Sequence, residues 1–224
     1  MSAYKLIIFD WDGTLMDSEA RIVACLGAAI QDLGLAPRDH AALRNIIGLG
    51  LRESVDSLFP GISEKLRLEF VDRYRYHFIS ANETHSELFP GAIDTLQQLE
   101  AQGYFLAVAT GKGRNGLDRV LDTTGLGKLF HSTRCADETR SKPHPQMLQE
   151  IMDELGLYPK EVLMVGDTEY DLQMAINARV DAIGVTYGVH EPERLQALDP
   201  VAMIDRIDQL PGLIHQFRIT NQSE

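Results

Sequence analysis

From residue 90 to residue 185 the sequence alternates short apolar stretches with helical patterns, and this alternation restricts the fold more than any other feature. Patterns of buried strands occur at residues 6–9, 105–109, 132–136, 162–165 and 182–185, with a weaker one at 201–204. Repeated strand–helix units form a parallel sheet that is covered by helices on both faces. The sequence therefore predicts an α/β protein with a Rossmann-like parallel-sheet core.

A second feature interrupts this alternation between the first strand and residue 88. Helical stripes cover residues 19–33, 40–47, 51–59 and 63–80, and no strand pattern separates them. A helical block of roughly 70 residues is too long for an ordinary crossover, which normally holds one helix. We predict an inserted all-helical cap domain at residues 17–87, with the core formed by residues 1–16 and 88–224.

Composition limits the classes of partner. The chain has 33 acidic and 21 basic residues, a net charge of −12, which argues against non-specific binding to nucleic acid or to an anionic membrane. No apolar run approaches the roughly 20 residues of a membrane-spanning helix, and no secretory leader precedes the first strand. We expect a cytoplasmic monomer or weak homodimer that acts on a small molecule.

The two cysteines, Cys25 and Cys135, lie far apart in the sequence and lack the spacing of metal ligands. In a chain with so few cysteines, two free buried thiols in a reducing compartment are the expected arrangement.

Polar side chains follow the predicted strands at the points where the strands end. They are Asp10, Asp12, Thr110, Lys142, Asp167 and, one helical turn further on, Asp171. The carboxyl ends of parallel strands meet at one edge of the sheet, where open α/β folds bind their ligands. We therefore expect these six side chains to converge, although Asp and Gly are also common residues of solvated turns.

The chemistry of this set points to phosphoryl transfer. Carboxylates suit a hard cation such as Mg²⁺, and an ammonium and a hydroxyl suit the oxygens of a phosphoryl group. A carboxylate can also act as nucleophile, or as acid and base if its pKa is raised. The Gly-rich phosphate loop of nucleotide hydrolases, with its Lys and Ser or Thr, is absent from the sequence.

The sequence resembles the haloacid dehalogenase superfamily in four ordered motifs that span nearly the whole chain. They are Asp10-Trp11-Asp12-Gly13-Thr14-Leu15, Thr110, Lys142-Pro143 and Gly166-Asp167-Thr168-Glu169-Tyr170-Asp171. The branch most similar to it contains the phosphoglycolate phosphatases and β-phosphoglucomutase, which carry a helical cap after the first motif. The resemblance implies a Mg²⁺-dependent phosphatase of a small phosphomonoester.

The resemblance also implies a role for each motif residue. Asp10 would be the nucleophile and Asp12 the general acid and base, while Thr110 and Lys142 would hold the phosphoryl oxygens. Mg²⁺ would be bound by the Asp10 and Asp167 side chains and by the Asp12 carbonyl, and Asp171 would support Lys142 or a metal-bound water. Asp12 argues against dehalogenation, because that branch of the family lacks this acid.

Some residues near the motifs are open to two interpretations. Gly111 stands where many relatives have Asn, and this difference could change a contact with the phosphate or the cap. Arg52 could bind an anionic part of the substrate or could simply be a solvated cap residue. Lys112 and Arg114 could widen the positive pocket, but we expect them to be solvated loop residues. Tyr74, Tyr76 and Phe78 are expected to pack within the cap rather than form a platform for bases.

Rival functions remain possible on the same fold. A phosphomutase of the β-phosphoglucomutase type would pass the phosphoryl group to a sugar, and a pyrophosphatase would use pyrophosphate as its substrate. A phosphonatase needs a cap lysine in a recognisable context, which the single cap lysine Lys65 lacks. A receiver-like phospho-acceptor switch is a non-enzymatic alternative, but receivers have no cap and do not place both acids at one strand end.

Overall fold

The computed structural model describes residues 4–220, and side chains as far as residue 217. The strands in chain order are β1 (Leu6–Phe9), β2 (Met16–Asp17), β3 (Glu87–Leu88), β4 (Phe105–Thr110), β5 (Ser132–Cys135), β6 (Val162–Gly166), β7 (Asp181–Val185) and β8 (Ala202–Ile204). The α-helices are α1 (Glu19–Asp32), α2 (His40–Asn45), α3 (Leu51–Leu58), α4 (Glu64–Tyr76), α5 (Ala92–Ala101), α6 (Arg114–Thr124), α7 (Gln146–Leu155), α8 (Glu169–Ala178), α9 (Pro192–Gln196) and α10 (Leu210–Thr220).

Six of the strands form one parallel sheet in the order β5-β4-β1-β6-β7-β8. This confirms the predicted α/β core with its Rossmann-like parallel sheet. β1 lies at the centre, where Phe9 pairs with Val108 of β4 and with Val165 of β6. Because of this register, the residues that follow β1, β4 and β6 leave the sheet at the same edge.

Helices cover both faces of the sheet, as strict alternation along a buried strand requires. Ile7 and Phe9 of β1 point to the face covered by α5, α6 and α10, whereas Leu6 and Ile8 point to the face covered by α7 and α8. All four residues are completely buried. The centre of the sheet is therefore a dry, two-sided scaffold, and it fixes the positions of the residues at its carboxyl edge.

The segment between β2 and β3 is helical and has a core of its own. Residues from α1, α2, α3 and α4 pack together there, among them Leu26, Leu43, Val55 and Phe70. The sequence predicts one long helix to residue 80, but α4 ends at Tyr76 and continues as a π-helical turn over His77–Ala81. The chain enters and leaves this helical segment through β2 and β3, which pair antiparallel. The division into domains at residues 17 and 87 stays a prediction.

The two-stranded β2–β3 pair, α9 and α10 are absent from the sequence-based expectations. Two residues are too few to show the period of a strand, and α9 is only five residues long. α10 packs Leu210 and Ile214 into the core beside α5. Both cysteines are free and buried, as expected. Within residues 4–220, the helices are too short or too polar for any of them to cross a membrane.

Candidate active site

The centre of the site is a buried lysine between two carboxylates. Lys142 Nζ lies 2.7 Å from Asp10 Oδ1 and 2.6 Å from Asp171 Oδ1, and all three side chains are buried. Burial alone would lower the pKa of Lys142, but the charges of Asp10 and Asp171 outweigh it and raise that pKa above its usual range. Lys142 is therefore an ammonium group with a fixed position.

Local backbone chemistry holds the two acids of the fourth motif. Thr168 donates from its amide (3.1 Å) and from Oγ1 (2.7 Å) to Asp171 Oδ2, and this contact begins α8. Asp167 accepts from Thr14 Oγ1 at 2.7 Å and from the Val189 amide at 2.8 Å. Both carboxylates are thus aimed at the site before any ligand binds.

The conformation of Gly13 explains why the first motif contains a glycine. Its φ is +82°, a conformation that L side chains rarely adopt. A Cβ at this position would also overlap the carboxylate of Asp167. Glycine therefore allows the turn after β1 to pass directly against Asp167.

The acids leave a place that suits a hard cation. Oxygen atoms of Asp10, Asp167 and Asp171 lie within 4.8 Å of one another, and Asp10 Oδ2 is buried without a partner among the described residues. Burial raises the pKa of Asp10 well above its usual range, opposed by Lys142 and assisted by Asp171 and Asp167. Burial and the charge of Asp171 raise the pKa of Asp167 to about 7. One ammonium does not balance three carboxylates, so the donor set fits Mg²⁺.

Asp12 lies beside this cluster, and its side chain has different partners. Ser18 Oγ donates to Asp12 Oδ1, and Lys112 Nζ lies 2.9 Å from Asp12 Oδ2. Ser18 precedes α1, but its side chain makes no capping hydrogen bond to that helix. The Ser18 hydroxyl would normally cap the helix, but it instead binds Asp12, the residue expected to act as general acid and base.

The expectation that Lys112 is solvated was wrong. Its side chain is only 7% exposed, because it pairs with Asp12 and because the ring of Phe78 lies 4.9 Å from its Nζ. Arg114 pairs instead with Asp118 and Glu138, outside the cavity described below. A sequence shows that a lysine follows a strand, but not that a distant helical turn will cover it.

Thr110 and Gly111 end β4 beside the cluster. Thr110 is fully buried, and its Oγ1 accepts a hydrogen bond from the Lys112 amide at 3.2 Å. A Cβ at Gly111 would lie 2.6 Å from the carbonyl oxygens of both Gly48 and Leu49. These two residues belong to the loop between α2 and α3, which we call the cap loop. The cap loop thus occupies the space that an Asn side chain would need, which gives the Gly111 difference a structural reason.

A cavity of about 590 Å³ separates these residues from the helical segment. We call its charged side the floor: Asp10, Asp12 and Lys112 line it, and the buried residues Thr110, Lys142, Asp167 and Asp171 complete it. Its apolar side, the roof, is formed by Ile22, Leu26, Val71, Tyr74 and Phe78. Arg52 also lines the cavity, but its side chain is 57% exposed and pairs with Glu64. Tyr74 and Phe78 stack on each other and pack against the core of the helical segment, as predicted, and they also line the cavity. The prediction was wrong for Tyr76, which is exposed.

Direct hydrogen bonds fasten the loop between α2 and α3 to the core. The carbonyl of Asn45 accepts from Tyr170 Oη at 2.9 Å, and its Oδ1 accepts from Arg194 Nη1 at 2.7 Å. The Gly50 amide donates to Ser141 Oγ at 2.7 Å, next to Lys142. The roof is thus seated over the floor on this side.

The structure brings together the six strand-end residues that the sequence singled out, and it places Arg52 at the cavity edge. Reasoning from sequence missed Thr14, Ser18 and Thr168, which hold Asp167, Asp12 and Asp171 respectively. Thr14 and Thr168 belong to the quoted motifs, so their positions carried a signal. Ser18 carried only the general preference for Ser before a helix.

Comparison with known proteins identifies relatives that cover nearly the whole chain. A probable phosphatase, IndB, of Dickeya dadantii (strain 3937) is 35% identical over 215 residues, covering 94% of this chain and 93% of the relative. A phosphoglycolate phosphatase of Vibrio vulnificus (strain CMCP6) is 30% identical over 219 residues, with 94% and 96% covered. A crystal structure from Bacteroides fragilis, described as a candidate haloacid dehalogenase-like hydrolase, superposes with a TM-score of 0.86 at 28% identity and covers 92% of this chain and 99% of its own.

The family described as haloacid dehalogenase-like hydrolase matches residues 7–185, a range that begins in β1 and ends with β7. That range contains the four motifs, the helical segment and every residue of the charged cluster. The chain belongs to the haloacid dehalogenase-like hydrolase family.

Proposed function

We propose that this protein is a Mg²⁺-dependent phosphatase that hydrolyses a phosphomonoester through an aspartyl-phosphate on Asp10. One observation carries the proposal: Asp10 and Asp12 line the same cavity, and the Asp10 oxygen that Lys142 does not bind has no partner among the described residues. An unpaired buried oxygen next to a fixed ammonium suits an attack on phosphorus. The phosphatase names of the relatives support the same chemistry.

In the first step, the free oxygen of Asp10 forms a bond to phosphorus while the bond from phosphorus to the alcohol oxygen breaks. Asp12 donates its proton to that departing oxygen. Lys142 and the Thr110 hydroxyl hold the non-bridging oxygens and keep the phosphoryl group in line. In the second step, Asp12 takes a proton from water, whose oxygen bonds to phosphorus as the bond to Asp10 breaks.

The chain's own acids prepare the site for these steps. Asp171 binds Lys142 as Asp10 does, so two carboxylates hold the ammonium in place during the transfer. Mg²⁺, held by Asp10, Asp167 and the Asp12 carbonyl, would supply positive charge to the transferring phosphoryl group. The roof excludes bulk water from the floor during the first step.

The phosphomutase and pyrophosphatase alternatives share this floor and differ in what the roof accepts. Pyrophosphate carries no apolar part that could lie against Leu26 or Val71, so the roof favours an organic ester. A phosphomutase would yield an isomeric sugar phosphate from β-glucose 1-phosphate, and no inorganic phosphate. The receiver-like switch is disfavoured, because Asp12 and a substrate-sized cavity have no use in a phospho-acceptor.

The test is release of inorganic phosphate from 4-nitrophenyl phosphate in three conditions: with Mg²⁺, with EDTA, and with the Asp10→Asn variant. We expect activity only with Mg²⁺ and Asp10, and a loss on the order of 10⁴-fold in the variant. Asp94→Asn, at an exposed position of α5, is the matched control and should keep full activity. Turnover that survives EDTA or Asp10→Asn would show that the charged cluster does different chemistry.

A further inference from the structure

The roof is made of apolar side chains that face a strongly charged floor. Ile22 and Leu26 come from α1, Val71 and Tyr74 from α4, and Phe78 from the π-helical turn. A leaving group that extends from the phosphoryl site toward the roof therefore meets hydrocarbon rather than charge. Burial of apolar surface there favours a substrate with an apolar body.

Tyr74 is the polar exception in the roof. Its ring stacks on Phe78 at 5.6 Å between centroids with an interplanar angle of 26°. Its hydroxyl has no hydrogen-bond partner among the described residues, although the side chain lines the cavity. Burial, and then the charge of Asp12, raise the pKa of Tyr74 well above its usual range, so this group is a hydrogen-bond donor at neutral pH. This hydroxyl lines the cavity without a partner among the described residues, so the acceptor of a ligand can bind to it.

The positive groups of the cavity are not arranged for a second anion next to the roof. Lys112 is already paired with Asp12, and Arg52 is paired with Glu64 at an exposed position. Arg75 lines the cavity but is exposed to solvent. Among the cations that line the cavity, none is both buried and unpaired, so a carboxylate held against Leu26 and Val71 would lose its hydration without gaining a direct ion pair with one of them.

The size of the cavity gives the same answer. About 590 Å³ is within the range of pockets that enclose a molecule of drug size. The two-carbon body of glycolate would leave most of that volume to water and would make few contacts with the roof. The volume of the cavity and the apolar character of the roof thus both favour a larger leaving group.

The geometry points to a substrate class: a phosphomonoester whose alcohol carries an uncharged planar ring with a hydrogen-bond acceptor. This inference rests on the proposed phosphatase function. The ring lies against Leu26, Val71 and the Tyr74 ring, and the Tyr74 hydroxyl donates to the acceptor. Phe78 stacks on Tyr74 and helps to fix its ring. Arg21 and Lys112 in turn lie over the Phe78 ring, at 4.8 and 4.9 Å from its centroid. 2-Phosphoglycolate and pyrophosphate are poor substrates on this view.

The test compares kcat/KM among esters of primary alcohols, so that leaving-group reactivity stays similar. The substrates are 2-phosphoglycolate, ethyl phosphate, benzyl phosphate and the three isomeric pyridylmethyl phosphates. We expect benzyl phosphate to exceed ethyl phosphate and 2-phosphoglycolate by at least about tenfold. One pyridylmethyl isomer, whose nitrogen can reach the Tyr74 hydroxyl, should exceed benzyl phosphate by about three- to tenfold.

Variants of Tyr74 separate the ring from the hydroxyl. Tyr74→Phe should abolish the preference for that pyridylmethyl isomer and leave benzyl phosphate within about twofold, because only a neutral hydrogen bond is lost. Tyr74→Ala should reduce both ring-bearing substrates and leave ethyl phosphate nearly unchanged. Tyr76→Phe and Tyr76→Ala, at an exposed position on the same helix, are the matched controls and should change none of these ratios.

The possible failures are distinguishable. If 2-phosphoglycolate is the best substrate and Arg75→Gln or Arg52→Gln removes that preference, the ring-substrate inference is overturned while the phosphatase function stands. Equal kcat/KM values for ethyl and benzyl phosphate would overturn it as well. If no ester and no aryl phosphate releases phosphate, the proposed function fails first and the inference fails with it.

Discussion

The floor and the roof of the cavity are built on opposite principles. The floor consists of charged groups that pair with one another at the ends of rigid strands, where each position is fixed by the register of the sheet. The roof consists of apolar side chains on a helical segment whose two ends connect to the sheet through β2 and β3. The floor can therefore keep its chemistry constant, because changes in the roof do not alter the positions of the strand ends.

This difference also separates the energetic risks of the two regions. A lost methyl group in the roof leaves a small cavity, whereas a lost charge in the floor leaves other charges buried without a partner. Three substitutions test the comparison: one within the floor, one where floor and roof meet, and one at the contact that seats the roof.

The largest effect is expected for Lys142→Met. Asp10 and Asp171 would remain buried without their ammonium, so we expect a loss of about 3–5 kcal/mol in the free energy of unfolding. Activity should fall by about 10³-fold or more, because the phosphoryl oxygens lose their fixed cation. Denaturant unfolding and phosphate release measure the two effects.

Lys65→Met is the matched control for that experiment. Lys65 also forms an ion pair, with Glu69 at 3.9 Å, but the two side chains are 87% and 47% exposed. Exposed pairs contribute about 0–1 kcal/mol, so this variant should be nearly as stable and as active as the parent. Similar losses in both variants would contradict the view that the floor depends on buried pairing.

An intermediate effect is expected for Lys112→Met, where the floor meets Phe78. Without the ammonium, Ser18 is the one side-chain partner that Asp12 keeps among the described residues, and Asp12 is held less firmly as proton donor. We expect kcat to fall by about 10- to 100-fold for benzyl phosphate, which needs a proton on its departing oxygen, and much less for 4-nitrophenyl phosphate. Steady-state kinetics with both esters measures the ratio.

Lys128→Met, at an exposed position, is the control and should leave both rates unchanged. Equal losses for the two esters would mean that Lys112 acts on the phosphoryl group itself rather than through Asp12.

The smallest effect is expected for Gly111→Ala, at the contact between β4 and the cap loop. The new methyl group would lie 2.6 Å from two carbonyl oxygens, so the loop at Gly48 and Leu49 must move away. We expect kcat/KM to fall by about tenfold or less, mainly through KM, while the charged cluster stays intact. Gly27→Ala, in α1 with open space around it and outside the cavity lining, should keep its kinetics and gain about 0.5–1 kcal/mol of stability. A Gly111→Ala variant with unchanged KM would show that the loop contact does not position the roof.

The same contrast determines how much the sequence could predict. The floor was predictable because strand ends in a parallel sheet converge regardless of detail, so Asp10, Thr110 and Asp167 could be placed from the order of the strands alone. Asp171 could be added because it lies one helical turn after Asp167.

The roof could not be predicted in the same way. A helical stripe shows that Val71 and Tyr74 share a face of α4, but not which surface that face will meet. The burial of Lys112 depends on Phe78, a residue 34 positions earlier on a π-helical turn whose pattern in the sequence continues that of α4. These contacts arise from docking of the helical segment, and docking leaves no periodic signal in the sequence.

The β2–β3 pair has a consequence for how such proteins diversify. Met16 pairs with Leu88 and Asp17 with Glu87, so the two ends of the helical segment lie side by side, at the spacing of neighbouring strands of about 5 Å. A gap that narrow can be closed by a turn of two residues or by a segment of any length, with no change in the path of the sheet. Helical segments that select different substrates can therefore be exchanged at the β2–β3 pair, while the charged groups at the strand ends stay in place.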